Sequence, residues 1–176
     1  MLKRTLKQFI VAGASLMLVF GCGPKTVETQ GEPVDLIPAP VELMAAPGSV
    51  TSDELADLPE KVKISEKALL RLLEGNKLTD WQLKSAYWLE IGKKKVTIVA
   101  ADPEGVFNAR QSVKMIATLN DTVGCCTILD WPRFQHRGVM LDESRHYQGK
   151  AFVFKQLEMM ALLKLNRFHF HLVDNP

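Results

Sequence analysis

The sequence predicts an α+β domain followed by one strand–helix–strand unit whose strands run parallel. Three observations lead there. Strand-like runs and capped helices are interspersed over residues 36–128 without a repeating βα pattern. Strand, helix and strand then follow one another within about 35 residues, a spacing that fits a crossover between parallel neighbours. Nothing before residue 36 shows the periodicity of a packed element.

Taken in order, residues 36–43 (L-I-P-A-P-V-E-L) suggest a strand at a sheet edge, where prolines cost no ladder bond. Ser65 is placed to cap a helix with the apolar face Ala68, Leu69, Leu72 and Leu73, stopped by Gly75. Tyr87–Ile91 and Val96–Ala100 are strand-like and flank Gly92-Lys93-Lys94-Lys95, a hairpin turn. Asp102-Pro103 pairs a cap with proline at the first helical position, ahead of the stripe Val106, Ala109, Val113, Ile116 and Met115 or Leu119. Cys125 and Cys126 are adjacent and so ill-placed for a disulfide; two free thiols on opposite faces of a strand are expected. Residues 136–141, 151–165 and 167–173 complete the chain as strand, helix and strand.

The amino terminus is read as targeting. Lys3, Arg4 and Lys7 precede an apolar run over residues 9–20, short for a bilayer span but suited to a signal-peptide core. Val19-Phe20-Gly21-Cys22 resembles a bacterial lipoprotein cleavage box, although smaller residues than Phe20 are usual there. The resemblance implies that Cys22 becomes the lipid-modified first residue, anchoring an exported protein in the bacterial cell envelope, at the outer membrane or cell surface. The alternative is a soluble secreted protein with an incidental cysteine. Residues 1–21 are then signal peptide and residues 22–35, polar with Gly and Pro, a flexible tether. Removing three positive charges from a net charge of +2 leaves −1, so no nucleic-acid partner is indicated.

The chemistry concentrates in the last segment. Parallel sheets place reactive groups at the carboxyl ends of their strands. Asp142 and Arg145 leave the first strand there, and His171 and Asp174 leave the second. Alternation sets His169 and His171 on one face and Phe168, Phe170 and Leu172 on the other. Arg145 offers a planar fork of donors for vicinal hydroxyls or a carboxylate, and Asp174 could hold an imidazole in one tautomer. Alone, the H-x-H pair also reads as satisfied polar groups at a strand end or, with the nearby aspartate, as a feasible metal-ligand set.

R-F-x-x-R-G-x-x-L-D-x-S-R-H-Y, followed after the helix by M-A-L-x-K-L-N-R-F-H-F-H-L-V-D, resembles glycoside hydrolase family 20, the exo-acting β-N-acetylhexosaminidases. The likeness is dense over residues 131–176 and looser back through A-A-D-P-E-G-V-F-N-A-R-Q-S to P-A-P near residue 39. It implies an accessory α+β domain over residues 36–128 and, over 129–176, the first strand, helix and second strand of a (β/α)8 TIM barrel, here truncated. It further implies that Arg145 binds the hydroxyls of a terminal N-acetylhexosamine. Asp174 would pair with a later histidine to orient the catalytic acid, with His171 lining the same pocket. Arg137 and Asp142 would hold the barrel rim together. Phe170 stands where tryptophan is usual, and Asn175 where a second acidic residue is common.

The family's reaction is substrate-assisted: the acetamido oxygen attacks the anomeric carbon while an Asp–Glu pair from a later strand assists. The sequence ends at Pro176, before any such pair, so the chain alone is expected to be inactive. Neither cofactor nor metal is expected, and the partners are N-acetylhexosamine-bearing glycans and, through the lipid anchor, a membrane. The competing class is a non-catalytic, lipid-anchored surface protein that binds glycan or a partner and carries a vestigial barrel.

Overall fold

A computed structural model describes residues 39–174 and divides them into two compact units, meeting in sequence at Pro132 and Arg133. Residues 1–38, including the expected signal peptide, tether and Cys22, and Asn175 lie outside the described residues. No described helix is long and apolar enough to cross a membrane.

The first unit is a five-stranded sheet carrying helices. Its strands are β1 (Glu42–Thr51), β2 (Glu60–Ile64), β3 (Tyr87–Ile91), β4 (Val96–Ala100) and β5 (Thr122–Asp130), in the order β1-β5-β3-β4-β2. β2 pairs β4 in parallel, and the other neighbours are antiparallel. Of the edge strand expected over residues 36–43, residues 36–38 lie outside the described residues, and β1 begins at Glu42. Its proline, Pro47, sits inside a register shift between Ala45 and Ser49, where the ladder needs no N–H. The hairpin between β3 and β4 closes through Gly92 N–H donating to Lys95 O at 3.1 Å. The unit continues through Pro132, past the boundary expected at residue 128, because β5 pairs with β3 as far as Asp130.

The helices are α1 (Ser52–Asp57), α2 (Glu66–Leu72), α3 (Asp80–Ser85) and α4 (Pro103–Leu119). Ser65 caps α2 through the Ala68 N–H, and Asp102 caps α4 through the Glu104 N–H at 3.0 Å. The six-residue α1 and α3 depend on reciprocal caps, Thr51 with Glu54 and Thr79 with Gln82, that satisfy N–H groups too short a helix would leave bare. Leu69 and Leu73 bury against Ala86, Val99 and Leu129. α4 lies along β2, β3, β4 and β5, burying Val106, Ala109, Met115 and Ile116.

α4 approaches very closely at its first turn. A Cβ on Gly105 would stand 2.3 Å from Ala86 O and 2.9 Å from Ala100 Cβ, so only hydrogen fits. Beneath the helix, the Tyr87 hydroxyl meets Ser112 Oγ at 2.6 Å and donates to Asp130 Oδ2 at 3.0 Å. Burial, together with the Asp130 charge, pushes the phenol well above its ordinary range, so it remains a donor.

The second unit holds β6 (Gly138–Asp142), α5 (Lys150–Leu162) and β7 (Arg167–His171). β6 and β7 pair in parallel, from Gly138 opposite Arg167 to Asp142 opposite His171. At the amino end Arg137 Nε donates to Lys164 O at 2.9 Å, steadying a non-glycine residue at φ 56°. Asn166 Oδ1 accepts from Arg137 N–H at 3.0 Å, and Asn166 Nδ2 donates to Gln135 O at 2.9 Å. These bonds fix the turn from α5 into β7 beside the start of β6.

Two predictions concern the first unit. Gly105→Ala should lower its stability by about 1–3 kcal/mol, the range for overpacking a tight contact. Urea denaturation followed by tryptophan fluorescence reads this, since Trp81, Trp88 and Trp131 all lie in that unit. An unchanged midpoint would mean the helix can lift away freely. Cys125 and Cys126 are free and buried, and burial pushes the Cys126 thiol up to about 12. In a Cys22→Ser chain at pH 8, a thiol reagent should leave both unmodified until urea is added. Because the folded thiol holds its proton more tightly than the unfolded one, Cys126 subtracts stability as pH rises from about 9 towards 12.

Candidate functional site

The in-register pairing of β6 with β7 delivers four polar side chains to one end of the second unit. Asp142 closes β6 and sits opposite His171, which closes β7. Asp142 Oδ1 then turns the chain, accepting from Ser144 N–H at 3.1 Å, Ser144 Oγ at 2.8 Å and Arg145 N–H at 3.2 Å. The Ser144 hydroxyl is the main reason the Asp142 carboxyl is held below its usual range, so the group stays charged at neutral pH.

That turn presents Arg145. Its Nε lies 3.7 Å from Asp142 Oδ2 and 3.8 Å from Asp174 Oδ2, while its side chain is 80% exposed. Such separations are ion pairs without hydrogen bonds, so among the described residues the guanidinium keeps donors for a ligand. On the neighbouring strand, His171 Nε2 and Asp174 Oδ1 are 2.6 Å apart. The carboxylate can only accept, so Nε2 bears the hydrogen. Asp174 thus engages His171 through one oxygen and faces Arg145 with the other.

The geometry therefore brings Asp142, Arg145, His171 and Asp174 together. It separates Arg137 from them: that residue lies at the amino end of β6 and secures the turn there, instead of standing at the rim beside Asp142. His169 and His171 meet edge-on, with centroids 6.2 Å apart, and Phe168 and Phe170 stack on the other face at 5.3 Å. A hollow of about 560 Å³ runs along the sheet past His136, Gly138, Met140, Arg167 and His169, without reaching Arg145 or Asp174. Among the described residues, no group of three or more His, Cys, Asp and Glu side chains could hold a metal ion. Sequence reasoning passed over Glu143, which is only 5% exposed beside the charged rim. No local sequence signal marks that burial, since Glu143 follows the last residue of β6.

A guanidinium between two carboxylates, beside an imidazole already bonded to one of them, is a donor–acceptor array. It suits a neutral polyhydroxylated ligand, whose hydroxyls both give and accept hydrogen bonds.

Both units match models of one protein family. The family model described as glycosyl hydrolase family 20, domain 2, matches residues 54–131, and that for the family 20 catalytic domain matches residues 134–176. A β-hexosaminidase of Vibrio vulnificus is 38% identical over 91 residues, covering 51% of this chain and 11% of its own length. One from Porphyromonas gingivalis is 26% identical over an alignment covering 91% of this chain and 26% of that protein. The solved exo-β-N-acetylglucosaminidase of Vibrio harveyi, in complex with N-acetylglucosamine, superposes with a TM-score of 0.57 at 28% identity, covering 77% of this chain and 25% of that one. The chain thus spans about a tenth to a quarter of these relatives' length. It belongs to glycosyl hydrolase family 20, carrying that family's α+β domain 2 and the opening strand–helix–strand of its catalytic domain.

Proposed function

We propose that this chain is the amino-terminal part of an exo-β-N-acetylhexosaminidase that removes terminal N-acetylhexosamine from glycans or chitooligosaccharides. The observation that carries the reading is the Asp142–Arg145–Asp174–His171 cluster. It stands at the carboxyl ends of two parallel strands, inside the segment matched to the family 20 catalytic domain. Barrel enzymes of this class build their sites at that end.

On this reading Arg145 binds sugar hydroxyls through its free donors. Asp142 and Asp174 keep the guanidinium aimed and lower the cost of leaving it only partly paired. The bond between Asp174 and His171 fixes the imidazole tautomer, so that the ring lines the pocket with a defined edge. Hydrolysis proceeds with retention, the substrate's acetamido oxygen acting as nucleophile. The Asp–Glu pair that assists it belongs to a later barrel strand than β7. Residues 1–21 act as a signal peptide, and Cys22 carries the lipid that holds the protein in the bacterial envelope, close to glycan substrates.

Three expected outcomes test this. The 176-residue chain alone should leave a chromogenic N-acetyl-β-glucosaminide intact, and turnover by it would show that bond cleavage needs nothing from later strands. In the full-length protein continuing past codon 176, Arg145→Ala should reduce kcat/KM about tenfold to a hundredfold, the loss for a charged hydrogen-bond donor. Kinetics close to the parent's would remove Arg145 from the substrate site. Cys22→Ser should shift the protein from the membrane fraction to the soluble one; unchanged fractionation would overturn the lipid anchor.

A further inference from the structure

We propose that Glu143 is the positioning residue for Arg145, setting the guanidinium's place by pinning the far end of the turn that carries it. The inference rests on the hexosaminidase reading above. The turn leaves β6 at Asp142 and enters α5 at Lys150. Its first half is held by Asp142 Oδ1, which binds Ser144 and the Arg145 N–H. Its second half carries the exposed Arg145, His146, Tyr147 and Gln148, and Gly149, at the cap position of α5, offers no side-chain cap. Glu143 supplies the tie. Its Oε2 accepts from Gln148 N–H at 2.8 Å, and its own N–H donates to His171 O at 2.9 Å, joining the turn to the end of β7.

The burial of this carboxylate argues for that role. Glu143 is 5% exposed, yet its Oε1 has no hydrogen-bond partner among the described residues. A half-satisfied buried carboxylate is costly, and a side chain that merely filled the space would be apolar. What the carboxylate supplies is reach: it spans from the strand tip to Gln148 N–H and closes Ser144–Gly149 into a fixed loop. Without that tie the loop is held only at its Asp142 end, and Arg145 drifts from Asp174. Misplacing a substrate-binding group by about 1 Å is enough to cost up to about a hundredfold in rate.

The test separates reach from charge. In the full-length protein, Glu143→Asp keeps the charge but falls one methylene short, whereas Glu143→Gln keeps the length and an acceptor oxygen. Glu143→Asp should lower kcat/KM about tenfold or more, and Glu143→Gln should stay within about twofold of the parent. In an Arg145→Ala background, Glu143→Asp should cost less than about twofold, because the group it positions is gone. Equal effects of Asp and Gln, or the same loss in both backgrounds, would overturn the proposal. A second measurement does not depend on activity. In the 176-residue chain, the Gln148 amide should exchange with deuterium faster in Glu143→Asp than in the parent or in Glu143→Gln. Unchanged exchange sinks the Glu143 tie, whereas unaltered kinetics of Arg145→Ala alone sinks the hexosaminidase site and leaves the tie standing.

Discussion

The candidate site depends on one constraint, the parallel, in-register pairing of β6 with β7. Because Asp142 stands opposite His171, whatever leaves one strand emerges beside whatever leaves the other. A slip of a single residue would turn Asp142 or His171 to the opposite face, where Phe168 and Phe170 stack. The register is secured from the far end. Arg137 and Asn166 tie the start of β6 to the turn before β7, so the bonds that align the charged rim lie about one strand length away from it. Binding and alignment are thus assigned to different residues of one short motif.

At the rim, the charges restrain one another without being used up. The Arg145 guanidinium sits within ion-pair reach of two carboxylates, its Nε outside hydrogen-bond distance of either. Such exposed pairs contribute little to stability. Their value is orientation: the cation is aimed while, among the described residues, no side-chain hydrogen bond takes up its N–H groups. Asp142 is committed to the backbone of its own turn and Asp174 to His171, so each carboxylate has one oxygen engaged and the other turned to Arg145.

Much of this was legible in the sequence, for reasons that can be named. Asp102-Pro103 and Ser65 announce helix starts because caps and first-turn proline have local chemistry, and both helices begin there. Tyr87–Ile91 and Val96–Ala100 alternate or run apolar around a Gly-Lys turn, and they are strands with those limits. β2 was not legible. Glu60–Ile64 is charged at three of five positions and exposed throughout, so it carries no burial pattern and is a strand only because β4 offers it an edge. α1 and α3 were short enough to hide, although Thr51 with Glu54 and Thr79 with Gln82 are capping boxes in plain view. In the site, the meeting of Arg145 and Asp174 followed from strand direction alone. The burial of Glu143 did not, because an acidic residue between an aspartate and a serine looks like solvent-facing loop until the fold encloses it.

The strand order of the first unit has a consequence for how the chain comes together. β5 is the last strand of this unit to be made, yet it lies between β1 and β3 and, among the described residues, is the sole ladder partner of β1. Residues 60–119 can assemble β2, β3, β4 and α4 among themselves, but β1 must wait for Thr122–Asp130 to arrive. Closing a loop between strands so far apart in sequence costs entropy before the pairing rewards it. During synthesis Glu42–Thr51 therefore remains without its β5 partner until about residue 130 is available, and the unit locks from the middle outward.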